Sequence, residues 1–303
     1  MTVLSTLGPL LAALLIGYFI NVNLLTPKLV NKALSQLTYL ILLLIGYSIG
    51  ALDNLMAKIG IAGYQTVVLI IATTLLPLLC LWISGRVFHA SASKVEHVDN
   101  SRSTRQALVD AIQTLAVVFV GIVLGWLLKE WIPNVDKPVE WLLYLLLYLI
   151  GCQLRQGNYR LRKLLLNSQG VIIGTVAVLA TLVSGLIAGT FLGLDWNHSL
   201  AVVSGFGWYS LSGILITGLG DPILGTTAFL LDLGREIIAL IFIPMLARIS
   251  SHLSVGYAGA TAMDFTLPLL GKVHGPDIVP ICVASGFIMS VLGPILIPLF
   301  MGM

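Results

Sequence analysis

Charged side chains are scarce in this sequence: Asp, Glu, Lys and Arg make up only 10% of its 303 residues. Because a soluble domain carries about 25% of such residues, most of the surface of this chain cannot face water. Hydrophobic residues reach 58%, and the mean hydropathy is +1.01. The composition therefore predicts a membrane protein whose main partner is the lipid bilayer.

Residues that build disulfides, metal sites and common catalytic centres are also few. The three cysteines, Cys80, Cys152 and Cys282, lie inside apolar runs without a CxxC pair, so we expect neither a disulfide nor a metal site. The five histidines show no HExxH spacing, and the chain has neither a Walker motif nor a dinucleotide-binding glycine fingerprint. We therefore expect no cofactor and no enzyme. Any uphill transport would have to draw on an ion gradient.

One short match does suggest an enzyme. Gly218-Leu-Gly-Asp221 fits the Gly-x-Gly-Asp motif of intramembrane aspartyl proteases. Those enzymes also need a second aspartate, usually after a tyrosine, and a later Pro-Ala-Leu, and the chain contains neither Tyr-Asp nor Pro-Ala-Leu. Because Asp221 directly precedes Pro222, it is instead predicted to cap the start of a helix.

Apolar runs near the ~20 residues of a bilayer crossing recur along the chain, for example at residues 66–84, 107–128 and 170–194. The first run, residues 4–20, lacks a preceding basic segment, so we interpret it as a span and not a signal peptide. Lys and Arg are concentrated in the loops at residues 86–105 and 155–163, which predicts that both loops face the cytoplasm and that the N-terminus faces outside. Orientation thus explains the basic residues, and we expect no nucleic-acid partner.

The first six predicted spans resemble two copies of a three-span unit. Residues 39–46 recur at 144–151, and the pair Gly17-Tyr18 recurs as Gly125-Trp126. Because each copy has an odd number of crossings, the second copy would run opposite to the first, as in the inverted repeats of secondary transporters. Chance similarity between leucine-rich spans is the alternative.

The C-terminal third contains another pair of related segments, residues 222–244 and 276–298. Each follows a stretch rich in Gly, Ser, Thr or Pro, at residues 204–220 and 256–270. Such stretches do not suit an unbroken helix facing lipid, so we expect broken helices or re-entrant hairpins. Re-entrant hairpins would place Arg248 on the cytoplasmic side, as the distribution of basic residues favours.

These patterns predict an all-α polytopic membrane protein with about eight transmembrane helices, two broken or re-entrant elements and inverted repeats. Residues 1–106 would form the first three-span repeat with its cytoplasmic basic loop. Residues 107–198 would form the second repeat, and residues 199–303 a C-terminal transport unit with two units of broken helix or hairpin plus helix.

Glu236 is the strongest candidate for a transport residue. It stands within the apolar stretch 228–244, where an ionised side chain costs at least ~2.5 kcal/mol, so it should face the interior of the bundle. Asp232 lies one turn earlier on the same helix face, and two such carboxylates can raise each other's proton affinity, as a proton carrier requires. The alternative is a structural cluster in which Arg235 neutralises one of them.

Two further aspartates are candidates at the ends of apolar segments. Asp53 closes the run 39–52 near the predicted outer boundary of the second span, where a plain surface position is equally open. Asp264 lies inside the second broken element, where it could cap a half-helix or bind a cation.

The run from residue 204 to residue 213 offers backbone amides, hydroxyl groups and aromatic faces. These groups could hold a carboxylate and cover an ammonium group, and glycines that serve only helix packing are the alternative. An amino acid, above all a cationic one, fits a site with both kinds of group. The candidate residues in this run are Ser204, Gly205, Gly207, Trp208, Tyr209, Ser210 and Ser212.

Four segments carry a resemblance to the lysine exporter (LysO) family: residues 46–54, 204–214, 232–236 and 263–268. The string Gly205-Phe-Gly-Trp-Tyr-Ser-Leu-Ser-Gly213 is the most specific of them. The resemblance implies export of L-lysine and of analogues such as thialysine through a bacterial inner membrane. It also implies eight spans, both termini outside, and essential intramembrane acidic residues at Asp53 and Glu236. The related group of cation/proton antiporters and anion transporters uses inverted repeats and crossed broken helices.

The leading hypothesis is therefore a secondary transporter that exports lysine by proton antiport. The ε-ammonium group would be received by Glu236 or Asp53, and incoming protons would displace it. Two alternatives stay open: an antiporter or symporter for another small charged solute, such as an inorganic cation or an organic acid, and a membrane scaffold or enzyme subunit. A homodimer would be ordinary for this fold group.

Overall fold

The computed structural model describes residues 3–19, 26–51, 55–88, 101–129, 136–156 and 167–303. These residues form α-helices and two short 3-10 helices, Gly259–Met263 and Pro276–Ile278, with no strand in the described ranges. The predicted all-α class is confirmed. The helices are α1 (Val3–Phe19), α2 (Pro27–Gly50), α3 (Leu55–Val87), α4 (Ser101–Leu128), α5 (Asp136–Gln156), α6 (Ser168–Leu192), α7 (Trp196–Val203), α8 (Tyr209–Gly218), α9 (Pro222–Ala247), α10 (Ser251–Ala258), α11 (Leu267–His274) and α12 (Val279–Met301).

Four helices of the described chain are long and apolar enough to cross a membrane: α2, residues Met56–Val87 of α3, α6 and α12. Large apolar side chains on the outside of the bundle, such as Leu75, Phe119 and Phe191, are exposed, as contact with lipid requires. Helix α9 is 26 residues long, but it carries Asp232, Arg235 and Glu236 near its middle. The structure is that of a helical, multi-pass membrane protein.

Close glycine contacts join α1 to α5 and α2 to α4. Gly17 lies against the backbone of Tyr148, and Gly46 lies against the backbone of Val118 and Gly121. A Cβ atom at either glycine would overlap a carbonyl oxygen of the facing helix. Such approach of two backbones is the usual role of small residues between membrane helices. If α1–α3 and α4–α6 were two copies of one unit, the α1–α5 contact would correspond to the α4–α2 contact. The observed helix pairs agree with the inverted repeat, which stays a prediction.

Three long helices define the two ends of the C-terminal part. At one end, the His252 ring forms two hydrogen bonds. Its Nδ1 lies 2.8 Å from Ser84 Oγ in α3, and its Nε2 lies 2.7 Å from Gln169 Oε1 in α6. We call this the His252 end. Helix α6 runs away from it and α9 returns to it, since Ser250 follows α9 and caps α10. The C-terminus of α6 and the N-terminus of α9 therefore lie at the opposite end.

The segment between α6 and α9 folds back on itself. Helix α7 begins just after α6 and α8 ends just before α9, so residues 196–218 enter and leave at the end opposite His252. We call them hairpin 1 and its turn, residues 204–208, tip 1. Phe206 and Gly207 have φ angles of +52° and +93°, values outside the helical range that reverse the chain.

Residues 251–274 form a second hairpin, hairpin 2, from the His252 end. His274, the last residue of α11, bonds through Nε2 to Ser254 Oγ in α10 at 2.7 Å, so the segment returns to its starting end. Its turn, residues 259–266, is called tip 2, and the two tips meet where the Ala260 N–H donates to Phe206 O at 3.0 Å. Of the alternatives for the two irregular segments, the structure has the folded-back one in both.

Helix α12 passes both tips. Its Gly286 lies against Ala260 and Met263 of tip 2, and its Gly293 lies against Ser204 O of tip 1. Asp232 of α9 and Gly286 of α12 both stand ten positions after the proline that opens their related segments, Pro222 and Pro276. The glycines of α12 therefore make room for the hairpin tips at the centre of the bundle.

We expect Gly46→Ala to destabilise the protein, because the added methyl group would overlap the backbone of α4. Overpacking of this kind costs about 1–3 kcal/mol, and the midpoint of thermal unfolding in detergent should fall. Gly63→Ala on α3 is the matched control, since a Cβ atom there meets nothing within 4 Å. Equal midpoints for the two variants would contradict the close α2–α4 contact.

Candidate substrate site at the hairpin tips

Asp232 connects α9 to tip 1. Its side chain is fully buried. Oδ1 accepts the Gly207 N–H at 2.8 Å, and Oδ2 accepts the Ser212 hydroxyl at 2.6 Å. A Cβ atom at Gly205 would overlap Oδ2, so only glycine leaves room for the carboxylate there. Hydrogen bonds to an ionised carboxylate are about twice as strong as bonds between neutral groups. These two bonds hold hairpin 1 against α9.

Several polar groups of residues 204–213 already have partners within the protein, so fewer of them are available to a substrate than the sequence suggests. The Gly207 amide and the Ser212 hydroxyl are given to Asp232, and the Ser204 hydroxyl donates to Leu200 O at 2.7 Å. These three groups are not free for a carboxylate. Trp208, Tyr209 and Ser210 are partly exposed where α8 begins, and the Tyr209 ring meets Phe229 edge to face at 5.7 Å between centroids.

Arg235 and Glu236 lie one turn beyond Asp232, in the middle of α9. They are only 4% and 8% exposed, as predicted for charged residues that face the bundle interior. Nε and Nη1 of Arg235 donate to no acceptor in the part of the chain that the structure describes. Its Cζ atom lies 5.9 Å from the centroid of the Tyr257 ring. Tyr257 belongs to α10, two residues before tip 2 begins. The charged cluster therefore lies between the two hairpins.

The remaining acidic candidates behave differently. Asp264 stands in tip 2, where its side chain is exposed and accepts the N–H of Phe265, a local bond just before α11 begins. Asp53 lies outside the described residues. Asp221 caps α9 as predicted, with Oδ1 accepting the amides of Ile223 at 3.1 Å and Leu224 at 2.9 Å.

Sequence reasoning missed the polar contacts at the His252 end. Three of the five histidines, His198, His252 and His274, lie in helices. Ser250, two residues before His252, accepts the His252 N–H at 3.1 Å; a serine at that position is a recognisable start signal for a helix. Tyr257 was missed too, and its hydroxyl bonds to Thr74 of α3 at 2.9 Å.

The cluster on α9 brings together charged groups of both signs. Two carboxylates and one guanidinium group are buried together at the point where the hairpins from opposite ends meet. Within the described ranges, no group of three or more His, Cys, Asp or Glu residues could hold a metal ion. Buried ionisable groups at membrane depth are costly and mark ion or substrate pathways.

Comparison with known proteins gives two kinds of match. The model of the lysine exporter LysO family matches residues 115–301, which includes both hairpins, α9 and α12. The lysine exporter LysO of Escherichia coli (strain K12) is 37% identical over 294 residues, which cover 96% of this chain and 97% of that protein. A protein of Haemophilus influenzae named as a predicted lysine exporter is 38% identical over 188 residues, 62% of this chain and 96% of that protein.

We expect Ser212→Ala to lower the stability of the protein by about 1.5–3 kcal/mol, because it removes a hydrogen bond to a buried carboxylate. Ser184→Ala is the control, since that buried serine bonds only to Thr181 O in its own helix. Thermal unfolding in detergent measures both. In an Asp232→Ala background the cost of Ser212→Ala should shrink, and an unchanged cost would argue against the Ser212–Asp232 bond.

Proposed function

This chain belongs to the lysine exporter LysO family, a family of transporters and not of enzymes, and from that premise we propose that it exports L-lysine from the bacterial cytoplasm across the inner membrane. The observation that carries the proposal is the buried cluster of Asp232, Arg235 and Glu236 between two hairpins from opposite ends of the bundle. Toxic analogues of the same shape, such as thialysine, would share the route.

The proposed mechanism is exchange of lysine for protons. A carboxylate cannot hold a proton and pair with a lysine ammonium group at full strength at the same time, so competition for one group is the simplest way to couple the two fluxes. We assign this exchange to Glu236, with Asp53 as the second candidate from the family resemblance. Protons that enter down their gradient would then displace lysine towards the outside.

Asp232 has a different proposed role, because hairpin 1 already occupies both of its oxygens. Protonation of Asp232 would remove the negative charge that strengthens its bonds to Gly207 and Ser212. Hairpin 1 would then separate from α9 more easily. Asp232 would in this way transmit a protonation event to hairpin 1. Lysine and protons would compete for Glu236.

The proposed topology has eight crossings, α1 to α6, α9 and α12, with hairpins 1 and 2 dipping into the membrane from opposite sides. With the N-terminus outside, the His252 end faces the cytoplasm, hairpin 1 opens to the outside and hairpin 2 opens to the cytoplasm. The C-terminus then lies outside. Two gates on opposite sides of one central site are what alternating access requires.

Lysine efflux from proteoliposomes tests the proposed function directly. A proton gradient imposed across the membrane should drive labelled lysine through the wild-type protein in the direction opposite to the protons, and Glu236→Gln should lose this gradient-driven part. Asp195→Asn is the matched control, because that carboxylate is 81% exposed in the turn between α6 and α7. Lysine flux that ignores the gradient would contradict proton coupling, and an absence of lysine flux would favour another charged solute.

Labelling of single cysteines tests the topology. In a chain without Cys80, Cys152 and Cys282, Asp195→Cys lies at the end opposite His252, and Asp277→Cys lies between α11 and α12 at the His252 end; both positions are exposed. A membrane-impermeant maleimide added to spheroplasts should label Asp195→Cys, and label Asp277→Cys only after the membrane is permeabilised. The reverse pattern would invert the proposed orientation.

A further inference from the structure

Arg235 has hydrogen-bond donors that the described part of the protein leaves without acceptors. Its side chain is only 4% exposed, and a guanidinium group stays protonated in any protein environment. Two of its three nitrogens, Nε and Nη1, donate to no acceptor in the described part of the chain. The other buried side-chain atoms without a partner there are the hydroxyl oxygens of Thr217 and Ser285, which carry no charge.

The neighbouring carboxylates do not supply the missing acceptors. Asp232 stands one turn before Arg235, but its oxygens are directed to Gly207 and Ser212 of hairpin 1. Glu236, the next residue along α9, accepts from neither Nε nor Nη1. The Tyr257 ring at 5.9 Å can attract the charge through its face, although it accepts no in-plane N–H bond. Buried N–H donors in this condition are costly unless an acceptor joins them.

The arrangement of donors specifies what kind of anion fits. A guanidinium group presents its N–H donors as a planar fork that matches the two oxygens of a carboxylate. Each edge of the fork, Nε with Nη2 or Nη1 with Nη2, includes at least one nitrogen without an acceptor. A carboxylate that approached either edge would therefore supply an acceptor to a nitrogen that lacks one in the described part of the chain.

We propose that Arg235 binds the α-carboxylate of the exported amino acid, while the acidic residues of the site receive its ammonium groups. This carboxylate subsite rests on the proposed function and adds a requirement to it: the substrate must be an amino acid and not merely a cation. With Asp232 and Glu236 ionised, the cluster of α9 carries one net negative charge, the complement of the one net positive charge of lysine. The place of Arg235 between hairpins 1 and 2 allows a bound carboxylate to reach both.

Competition against labelled lysine in proteoliposomes tests this inference. L-lysinamide is the probe, because it keeps both amino groups of lysine and replaces the carboxylate by a neutral amide. With the wild-type protein, unlabelled lysine should compete at least about tenfold better than lysinamide, the loss expected when charged hydrogen bonds are missing. In Arg235→Gln the two compounds should compete about equally. Arg248→Gln, at an exposed position just after α9, should keep the wild-type preference.

The outcomes separate the subsite from the proposed function. If the wild-type protein transports lysine but lysinamide competes as well as lysine, the carboxylate subsite is wrong and lysine export stands. If the wild-type protein transports no lysine, both fail. Should Arg235→Gln not fold, the wild-type comparison still decides, and Arg235→Lys, which keeps the charge but loses the fork, should retain only part of the preference for lysine. An Arg235→Lys variant with the full wild-type preference would overturn the proposed fork.

Discussion

Buried backbone groups have no water to bond, and this constraint governs the C-terminal part of the chain. Tips 1 and 2 interrupt helices in the interior of the protein, so their amides and carbonyls need partners within it. The Ala260 N–H meets Phe206 O, and Asp232 accepts the Gly207 N–H. Each tip therefore packs against other parts of the chain. Tip 1 contacts tip 2, α9 and Gly293 of α12, and tip 2 contacts tip 1 and Gly286 of α12.

The same contacts link the hairpins to the charged cluster. A displacement of hairpin 1 away from α9 must break the bonds of Asp232 to Gly207 and Ser212. In a medium of low dielectric these bonds are strong. A change of charge at Asp232 would alter their strength, because bonds to an ionised group are about twice as strong as neutral ones.

The related segments 222–244 and 276–298 differ in charge at corresponding positions. Asp232 contacts tip 1, whereas the equivalent residue on α12, Gly286, contacts tip 2 with no side chain at all. Arg235 corresponds in the same way to Met289, and Glu236 to Ser290. Of these two helices, α9 is the one that presents Asp, Arg and Glu side chains at the compared positions. Tip 2 gains instead a neutral contact, from Ser290 Oγ to Met263 Sδ at 3.4 Å.

Hydropathy and local pattern determined much of this protein without any structure. They predicted the helical membrane class, the two irregular segments, the cap at Asp221 and a buried charged cluster around Glu236, because each depends on neighbours within a few residues. The tertiary structure alone decided that both irregular segments fold back, that Gly207 and Ser212 donate to Asp232, and that two nitrogens of Arg235 find no acceptor among the described residues. Those bonds join residues 20 and 25 positions apart, and the packing of α9 against hairpin 1, which no local pattern encodes, determines which donor meets which acceptor.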